Sequence, residues 1–431
     1  MAMKEIDKNI KELHEIFLKH PVIKRDNREV QTGDIFWALK GENNDGNRFA
    51  EDALKRGAHI AVVDDKKLNV LKEKRFFPVD NTLKALQDLG SLHRDYIGMP
   101  VIGITGSNGK TTTKELVNAV LSQKYHTSAT YGNYNNHIGV PLTLLEIPED
   151  TDIAIVEMGT NHFGEIEQLC RIADPDFGII TSIGKAHLEE FKDLEGVLQE
   201  KTALFRYIKE KNGMVFVNAD DPLVSKAAEG IRSYKFSFQG NPQAEVQLKD
   251  VSQKPELSIR LNDVDIHTKL VGKYNLSNIG YAIAVGKFFN LSDDEIKQGL
   301  ENYTPKNMRS QIIEKNNNLI ILDTYNANPT SMKAALENLL QMQGKRKVAI
   351  LGDMFELGEN ALQEHQHMVD FATEKGIETY LIGKQFAQTK SNFQVFKETE
   401  DFIRSGILDT ISQADILIKA SRGMALEKIL D

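Results

Sequence analysis

Apolar and polar positions follow two rhythms along this chain, and each rhythm predicts an element. Residues 4–19 carry Ile6, Ile10, Leu13, Ile16 and Phe17 at helical spacing. A strand is expected over Asp34–Leu39, a helix ending near Gly57, then the apolar strand Ile60–Val63. Asn81 is placed to cap a helix from Thr82 to about Tyr96, and Gly98-Met99-Pro100 breaks the chain after it. From Val101 the rhythm becomes strand, loop, helix. The strand Val101–Thr105 enters a glycine-bearing loop and a helix over 110–123, with further strands at Ile153–Val156, Gly178–Ser182 and Met214–Asn218. Such alternation predicts a mostly parallel sheet covered by helices. Residues 234–271 hold strand-like runs without a helix, which predicts a small antiparallel appendage, and a helix is expected over about Asn275–Phe289. After a break near Pro305–Arg309 the alternation resumes, with strands at Leu319–Asp323, Val348–Gly352, Tyr380–Gly383 and Ile416–Lys419. The expectation is an α/β protein of three domains, 1–98, 99–308 and 309–431, the last doubly wound and Rossmann-like.

Composition narrows this picture. A length of 431 residues fits about three domains of ordinary size. The net charge of −9 argues against nucleic-acid binding, which needs basic surface. With Cys170 alone, no internal disulfide or thiolate cluster can form. The charged N-terminal run lacks a signal-peptide core, and no run approaches about 18 apolar residues, so no membrane insertion and a cytoplasmic location are expected.

The strongest chemical signal is the loop Gly106-Ser107-Asn108-Gly109-Lys110-Thr111-Thr112 between a strand and a helix. Its glycines let backbone N–H groups face phosphate oxygens; Lys110 adds charge and Thr111 a hydroxyl for Mg²⁺. The strict pattern G-x-x-x-x-G-K-[ST] would need glycine where Ile104 stands. The loop alone does not separate kinase, GTPase, motor and ligase, although the N-K-x-D guanine signature is absent. Glu157, at a strand's C-terminal end, reads as a hard oxygen ligand or as a solvated strand end. His187 reads as a metal ligand or a hydrogen-bonded surface residue. Lys201 interrupts the stripe Leu194, Val197, Leu198, Leu204, Phe205, Ile208. Its amine either snorkels to solvent or is partly buried, with a lowered pKa and open to covalent change.

Several longer runs resemble the Mur ligases of bacterial cell-wall synthesis. They are Thr105–Lys114, Gly132-Asn133-Tyr134-Asn135-Asn136-His137-Ile138-Gly139-Val140-Pro141, Asp323-Thr324-Tyr325-Asn326-Ala327-Asn328-Pro329, Leu351–Glu359 and Gly33–Gly41. Three motifs depart from the family pattern: Asp26-Asn27-Arg28 for Asp-Ser-Arg, Asp45-Gly46-Asn47 for Asp-Gly-His, and Lys419-Ala420-Ser421-Arg422 for Lys-Gly-Ser-Arg. The resemblance implies a UDP-sugar domain, a central P-loop ATPase domain and a C-terminal ligase domain. It implies ATP-driven amide formation through an acyl phosphate, joining D-alanyl-D-alanine to UDP-N-acetylmuramoyl-tripeptide, by a monomer. Lys110, Glu157, His187 and Lys201 would be catalytic. The loop residues with Asn275, Arg309 and Asp323 would hold ATP. Thr111, Glu157, His187 and a carbamylated Lys201 would hold Mg²⁺. Asp26, Arg28, Asn135, Asn136, Tyr325, Asn326, Asn328, Asp353 and Glu356 would meet the other substrates. Two rivals are a sister ligase adding a single amino acid and a nucleotide-binding regulator that kept the fold. The Asp323–Pro329 and Leu351–Glu359 motifs oppose the first, and the full metal set opposes the second.

Overall fold

A computed structural model describes residues 7–41, 44–68, 74–253, 255–305 and 308–431. Residues 4–6 of the expected first helix, Ile6 among them, and residues 306–307 of the expected second boundary lie outside the described residues. The chain packs as two compact units, one of 1–103, 128–158 and 167–175, the other of 104–127, 159–166 and 176–431.

In the first unit, β1 (Ile23–Lys24), β2 (Ile35–Trp37), β3 (Ile60–Val63) and β4 (Phe76–Pro78) form a parallel sheet in sequence order. The helix Lys8–Lys19 starts where the Asp7 carboxylate accepts the Asn9 N–H, and the helix Thr82–Ile97 where Asn81 accepts that of Lys84. Gly98, with φ +75°, ends the second helix in the left-handed conformation that glycine reaches without strain. Three further strands, β5 (Val101–Thr105), β6 (Thr127–Ala129) and β7 (Ile153–Glu157), are adjacent in the order β5-β7-β6. Residues beyond position 98 join this unit because the helix Gly139–Leu145 lies tightly on the helix 82–97. A Cβ at Gly90 would stand 2.9 Å from Pro141 Cα. Leu142 and Leu145 share one core with Leu13, Phe17, Trp37, Leu86 and Leu89.

In the second unit, β8 (Phe177–Ile180), β9 (Met214–Asn218), β10 (Arg232–Ser237), β11 (Val246–Asp250), β12 (Glu256–Leu261) and β13 (Val264–Val271) lie side by side in sequence order. The expected antiparallel appendage is present but shorter than expected, formed by β11, β12 and β13. Both β10 and β11 pair parallel to their predecessors, and antiparallel pairing begins only at β11–β12. The strands β10 and β11 continue the parallel pairing of the sheet. Alternation marks a half-buried strand but carries no information on the direction of its neighbour.

The C-terminal sheet comprises β14 (Gln311–Lys315), β15 (Asn318–Asp323), β16 (Arg346–Gly352), β17 (Glu378–Ile382), β18 (Gln394–Phe396) and β19 (Ala414–Lys419). Their order is β14-β15-β19-β16-β17-β18, and only β14 is antiparallel. The β14–β15 hairpin turns on Asn316 and Asn317, with φ +52° and +58°, as a two-residue turn of this hand requires. Both faces are buried, as in a doubly wound sheet. Ile321, Ala349, Leu351 and Leu417 enter one core, and Ile320, Val348, Ile350, Ile416 and Ile418 the other. No helix among the described residues is long and apolar enough to cross a membrane.

Three histidines of the first unit give its stability a pH dependence. His14 Nε2 and His93 Nδ1 lie 3.0 Å apart in a buried cluster. Burial holds both rings below their ordinary pKa, and the His14 charge adds to the effect at His93. Burial also lowers His59, helped by His20 and Arg75. The unfolded chain therefore takes up these protons first. Stability is intact above about pH 6.5 and falls as the pH drops below it toward the lowered folded values. Denaturant midpoints should fall between about pH 7.5 and 5.5, and His93→Gln should flatten the dependence. A midpoint unchanged over that range refutes it.

Candidate active site

The phosphate loop is shaped by glycines no other residue can replace. Gly106 has φ +147° and Gly109 φ +83°. A Cβ on Gly106 would meet Thr181 Oγ1 at 2.0 Å, and one on Gly109 would meet Asn278 Oδ1 at 2.4 Å. The loop is bonded to the segment after β8. Ser107 N–H donates to the Ser182 carbonyl (2.9 Å), the Thr181 hydroxyl donates to the Asn108 carbonyl (2.5 Å), and the Ser107 hydroxyl donates to the Gly184 carbonyl (2.9 Å). The helix Lys110–Leu121 begins at once, and the Lys110 ammonium folds back onto the Gly106 carbonyl at 2.8 Å. Thr111 is buried in its first turn.

Beside the loop is a pocket of about 260 Å³, lined by Asn108, Gly109, Thr112, Asn218, Asp221, Tyr274, Asn275, Ser310, Asp323 and Thr330. The sequence-predicted nucleotide residues of the loop, with Asn275 and Asp323, are thus brought together. Asn275 donates to the Val271 carbonyl and accepts from Asn278, so its amide also fixes the start of the helix Asn275–Phe288. Asp323, ending β15, pairs with Lys419 of β19 at 2.6 Å, and Lys419 also donates to the Asn326 carbonyl. Lys419, part of the Lys419–Arg422 motif, and Tyr274 were given no role by the sequence. Lys419 lies within that motif, and Tyr274 beside Asn275.

The candidate metal residues are placed as follows. Glu157 ends β7 at 1% exposure. One carboxylate oxygen accepts the Asn135 amide at 2.8 Å, and the other is buried without a hydrogen-bond partner. Lys201 ends the helix Leu194–Lys201 and is fully buried, which excludes snorkelling. The stripe around it is shorter than expected, because Leu194 is exposed. Glu200, unforeseen, accepts the backbone N–H groups of Gly164 and Ile166. His187 has φ +51°, and its Nδ1 lies 2.6 Å from Glu356 Oε2. That bond chiefly, aided by the charges of His187 and Lys110 against partial burial, holds the Glu356 carboxyl below its ordinary pKa. Two residues expected to serve different ligands therefore touch. Among the described residues, no three His, Cys, Asp or Glu side chains form a ready metal cluster.

Several expected substrate contacts have local work. Asp353 is corrected from a ligand-facing residue to a buried one: its carboxylate accepts the N–H groups of Gln385 and Phe386 at 2.9 and 3.0 Å. Asn136 accepts from the Ile138 and Gly139 N–H groups. Asn328 caps the helix Pro329–Gln341 and donates to Asn108 Oδ1 at 2.8 Å, joining the phosphate loop to the end of β15. Asn326 is exposed and accepts the Ala327 N–H. Asp26 takes a paired hydrogen bond from Arg28, and this guanidinium holds its carboxyl down at about 2. Arg309 and Arg422 lie over the Tyr325 ring, 3.7 and 5.2 Å from its centroid.

The fold and the loop define a nucleotide-binding α/β protein with a phosphate loop between strand and helix. Three family models match in chain order: the Mur ligase family catalytic domain over 22–94, the Mur ligase middle domain over 104–286, and the Mur ligase glutamate ligase domain over 308–425. The chain belongs to the Mur ligase family. It is 36% identical over 423 residues to the UDP-N-acetylmuramoyl-tripeptide–D-alanyl-D-alanine ligase of Bacillus subtilis, covering 94% of this chain and 91% of that one. A crystal structure of MurF from Acinetobacter baumannii superposes with a TM-score of 0.85 at 30% identity, over 95% of this chain and 92% of that one. That of Thermotoga maritima MurF ligase in complex with ADP gives 0.85 at 28% identity, over 96% and 97%.

Gly106→Ala should cost about 1–3 kcal/mol of stability from backbone strain and the Thr181 clash, and should abolish ADP binding. Calorimetric titration and thermal melts check this. Wild-type ADP affinity in the variant would contradict the assigned loop geometry.

Proposed function

We propose that this chain is an ATP-dependent amide ligase that joins D-alanyl-D-alanine to UDP-N-acetylmuramoyl-tripeptide, releasing ADP and phosphate, in the cytoplasmic stage of peptidoglycan synthesis. The observation that carries the reading is the glycine-curled loop opening on a 260 Å³ pocket whose lining also includes Ser310 and Asp323 of the C-terminal region. The 36% identity to the Bacillus subtilis ligase supports the choice of substrates. In this reading the domains are 1–98 for the UDP-sugar, 99–308 for ATP and 309–431 for the dipeptide, and one copy of the chain supplies the whole site. The family matches over 22–94, 104–286 and 308–425 support these limits.

The tripeptide's terminal carboxylate attacks the γ-phosphate and becomes an acyl phosphate; the dipeptide's amine then attacks that carbonyl and phosphate leaves. Lys110 and the N–H groups of residues 106–112 neutralise charge on the transferred group, and positioning supplies most of the acceleration. Asn275, Arg309 and Asp323 orient the nucleotide. Asp26 and Arg28 serve the UDP end, with Asn135 and Asn136 beside them. Tyr325, Asn326, Asn328 and Glu356 serve the dipeptide end. Asn135 also holds Glu157 by one oxygen.

The residues fit a divalent cation. Glu157 keeps a buried carboxylate oxygen without a hydrogen-bond partner, and Mg²⁺ takes one or two carboxylates together with phosphate oxygens and waters. Thr111, Glu157, His187 and a carbamylated Lys201 would hold it, where it would offset phosphate charge. A carbamate at Lys201 would replace an ammonium that repels the cation with an oxygen donor of the right sign.

Lys110→Ala should leave the fold intact and lower turnover at least a thousandfold, as expected for losing a fixed charge at the transferred phosphate. Phosphate release should require UDP-tripeptide and D-alanyl-D-alanine together. Free D-alanine serving equally well would refute the substrate choice. Lys201→Ala should lose most activity while melting normally, and acetate should restore part of it. A wild-type rate in that variant would refute the carbamate.

A further inference from the structure

Two guanidinium groups converge on one aromatic ring in the C-terminal region, and the chemistry described so far uses only one of them. Arg309 stacks 3.7 Å from the Tyr325 centroid and Arg422 lies 5.2 Å from it. Among the described residues neither guanidinium makes a hydrogen bond or ion pair, and Arg309 Nε is buried without a partner. The nearest acid in the same motif as Tyr325, Asp323, is taken by Lys419 at 2.6 Å. The ring is thus flanked by uncompensated positive charge.

Arg422 stands at a constructed position. It follows β19, the strand lying between β15 and β16 where the strand order reverses, and ligands of doubly wound sheets bind outside the carboxyl ends of the strands at such a point. Its neighbour Ser421 ties the three strand ends together. Ser421 Oγ accepts the Phe355 N–H (2.9 Å), its N–H donates to the Asp353 carbonyl (3.2 Å), and its hydroxyl donates to the Ala327 carbonyl (3.4 Å). Phe355 is 44% exposed and packs against Gly423. An exposed guanidinium is therefore held over one aromatic ring, with a second ring against the next residue of the chain, Gly423. That suits a small ligand with one carboxylate and short apolar side chains, because a planar fork binds a carboxylate through two parallel N–H···O bonds.

We infer that Arg422 binds the terminal carboxylate of the incoming D-alanyl-D-alanine, with Tyr325 as the platform that fixes its guanidinium. The inference rests on the ligase reading above and adds to it the group that selects an acidic dipeptide terminus. Arg309, on the same ring, is left to the nucleotide.

The test compares D-alanyl-D-alanine with D-alanyl-D-alaninamide, which keeps the attacking amine and loses the carboxylate. The wild-type protein should favour the acid about 10- to 100-fold in kcat/KM, the range for a charge-assisted hydrogen bond. Arg422→Gln should bring that ratio close to one by losing activity on the acid alone, with the KM for ATP unchanged. Arg422→Lys should keep part of the preference, and it carries the same comparison if Arg422→Gln fails to fold. Equal losses on acid and amide, a raised KM for ATP, or a wild-type protein indifferent to the carboxylate would each overturn the assignment. A folded wild-type protein inactive with every dipeptide would overturn the ligase reading itself, and the assignment with it.

Discussion

The phosphate loop keeps its form because it is hydrogen-bonded, residue against residue, to the segment that follows β8. Ser107 and Asn108 are held by Thr181, Ser182 and Gly184, at separations that leave no room for a side chain at Gly106. The loop's N–H groups are thereby aimed before any ligand arrives, and preorganised donors cost no reorganisation when charge appears. The same segment runs on into Lys185 and His187. Lys185 N–H donates to Thr330 and its ammonium pairs with Glu364 at 2.6 Å, while His187 meets Glu356. One stretch of chain thus shapes the phosphate loop and reaches the strand-end loops of the C-terminal sheet.

Buried charge marks the places where the fold gives up stability for chemistry. Taking an ammonium or a carboxylate out of water costs several kcal/mol unless it is well paired. The Asp323–Lys419 pair meets that cost with a 2.6 Å contact and a second bond to the Asn326 carbonyl, and so positions the end of β15 against β19. Glu157 meets it on one oxygen only. Such an arrangement is poor as a structural device and reasonable as half of a coordination site. Glu200, by contrast, is fully occupied with backbone N–H groups and belongs to the scaffold. Two glutamates of similar burial are thus separated by what their second oxygen does.

Local features of the sequence carried most of the fold and the core of the site. Two-residue alternation and apolar runs located the strands, Asn81 marked a helix start, and Gly106 to Thr112 announced a phosphate loop. The break in the stripe at Lys201 left its amine either snorkelling or partly buried, and the structure buries it fully. Other features depend on pairs of residues far apart in the chain, which periodicity does not encode. The direction of β10 and β11 is one such feature. Asp353 is another: its motif suggested a ligand, but its carboxylate is needed by the turn at residues 383–386, where Gly383 leaves space for it. The convergence of Arg309 and Arg422 on Tyr325 likewise joins three separate segments, visible only once β15 and β19 lie side by side.

The contact between His187 and Glu356 carries this point furthest. Both residues adopt the left-handed conformation, with φ +51° and +61°, although neither is glycine. Each such residue costs on the order of 1 kcal/mol or more, and it persists only where its surroundings fix it. What fixes them is visible: a 2.6 Å bond between the side chains and a Glu189 N–H that donates to the Glu356 carbonyl. With Nδ1 engaged by a carboxylate, the proposed metal role of His187 falls to its other nitrogen, as outer carboxylates orient histidines at metal centres. Glu356 also feels the charge of Lys110. A residue at the C-terminal strand ends is therefore tied electrostatically to the phosphate loop and covalently, through its own backbone, to the loop that carries Phe355. In the proposed reading, the nucleotide and dipeptide ends of the site share this residue, so displacing one end is felt in the other.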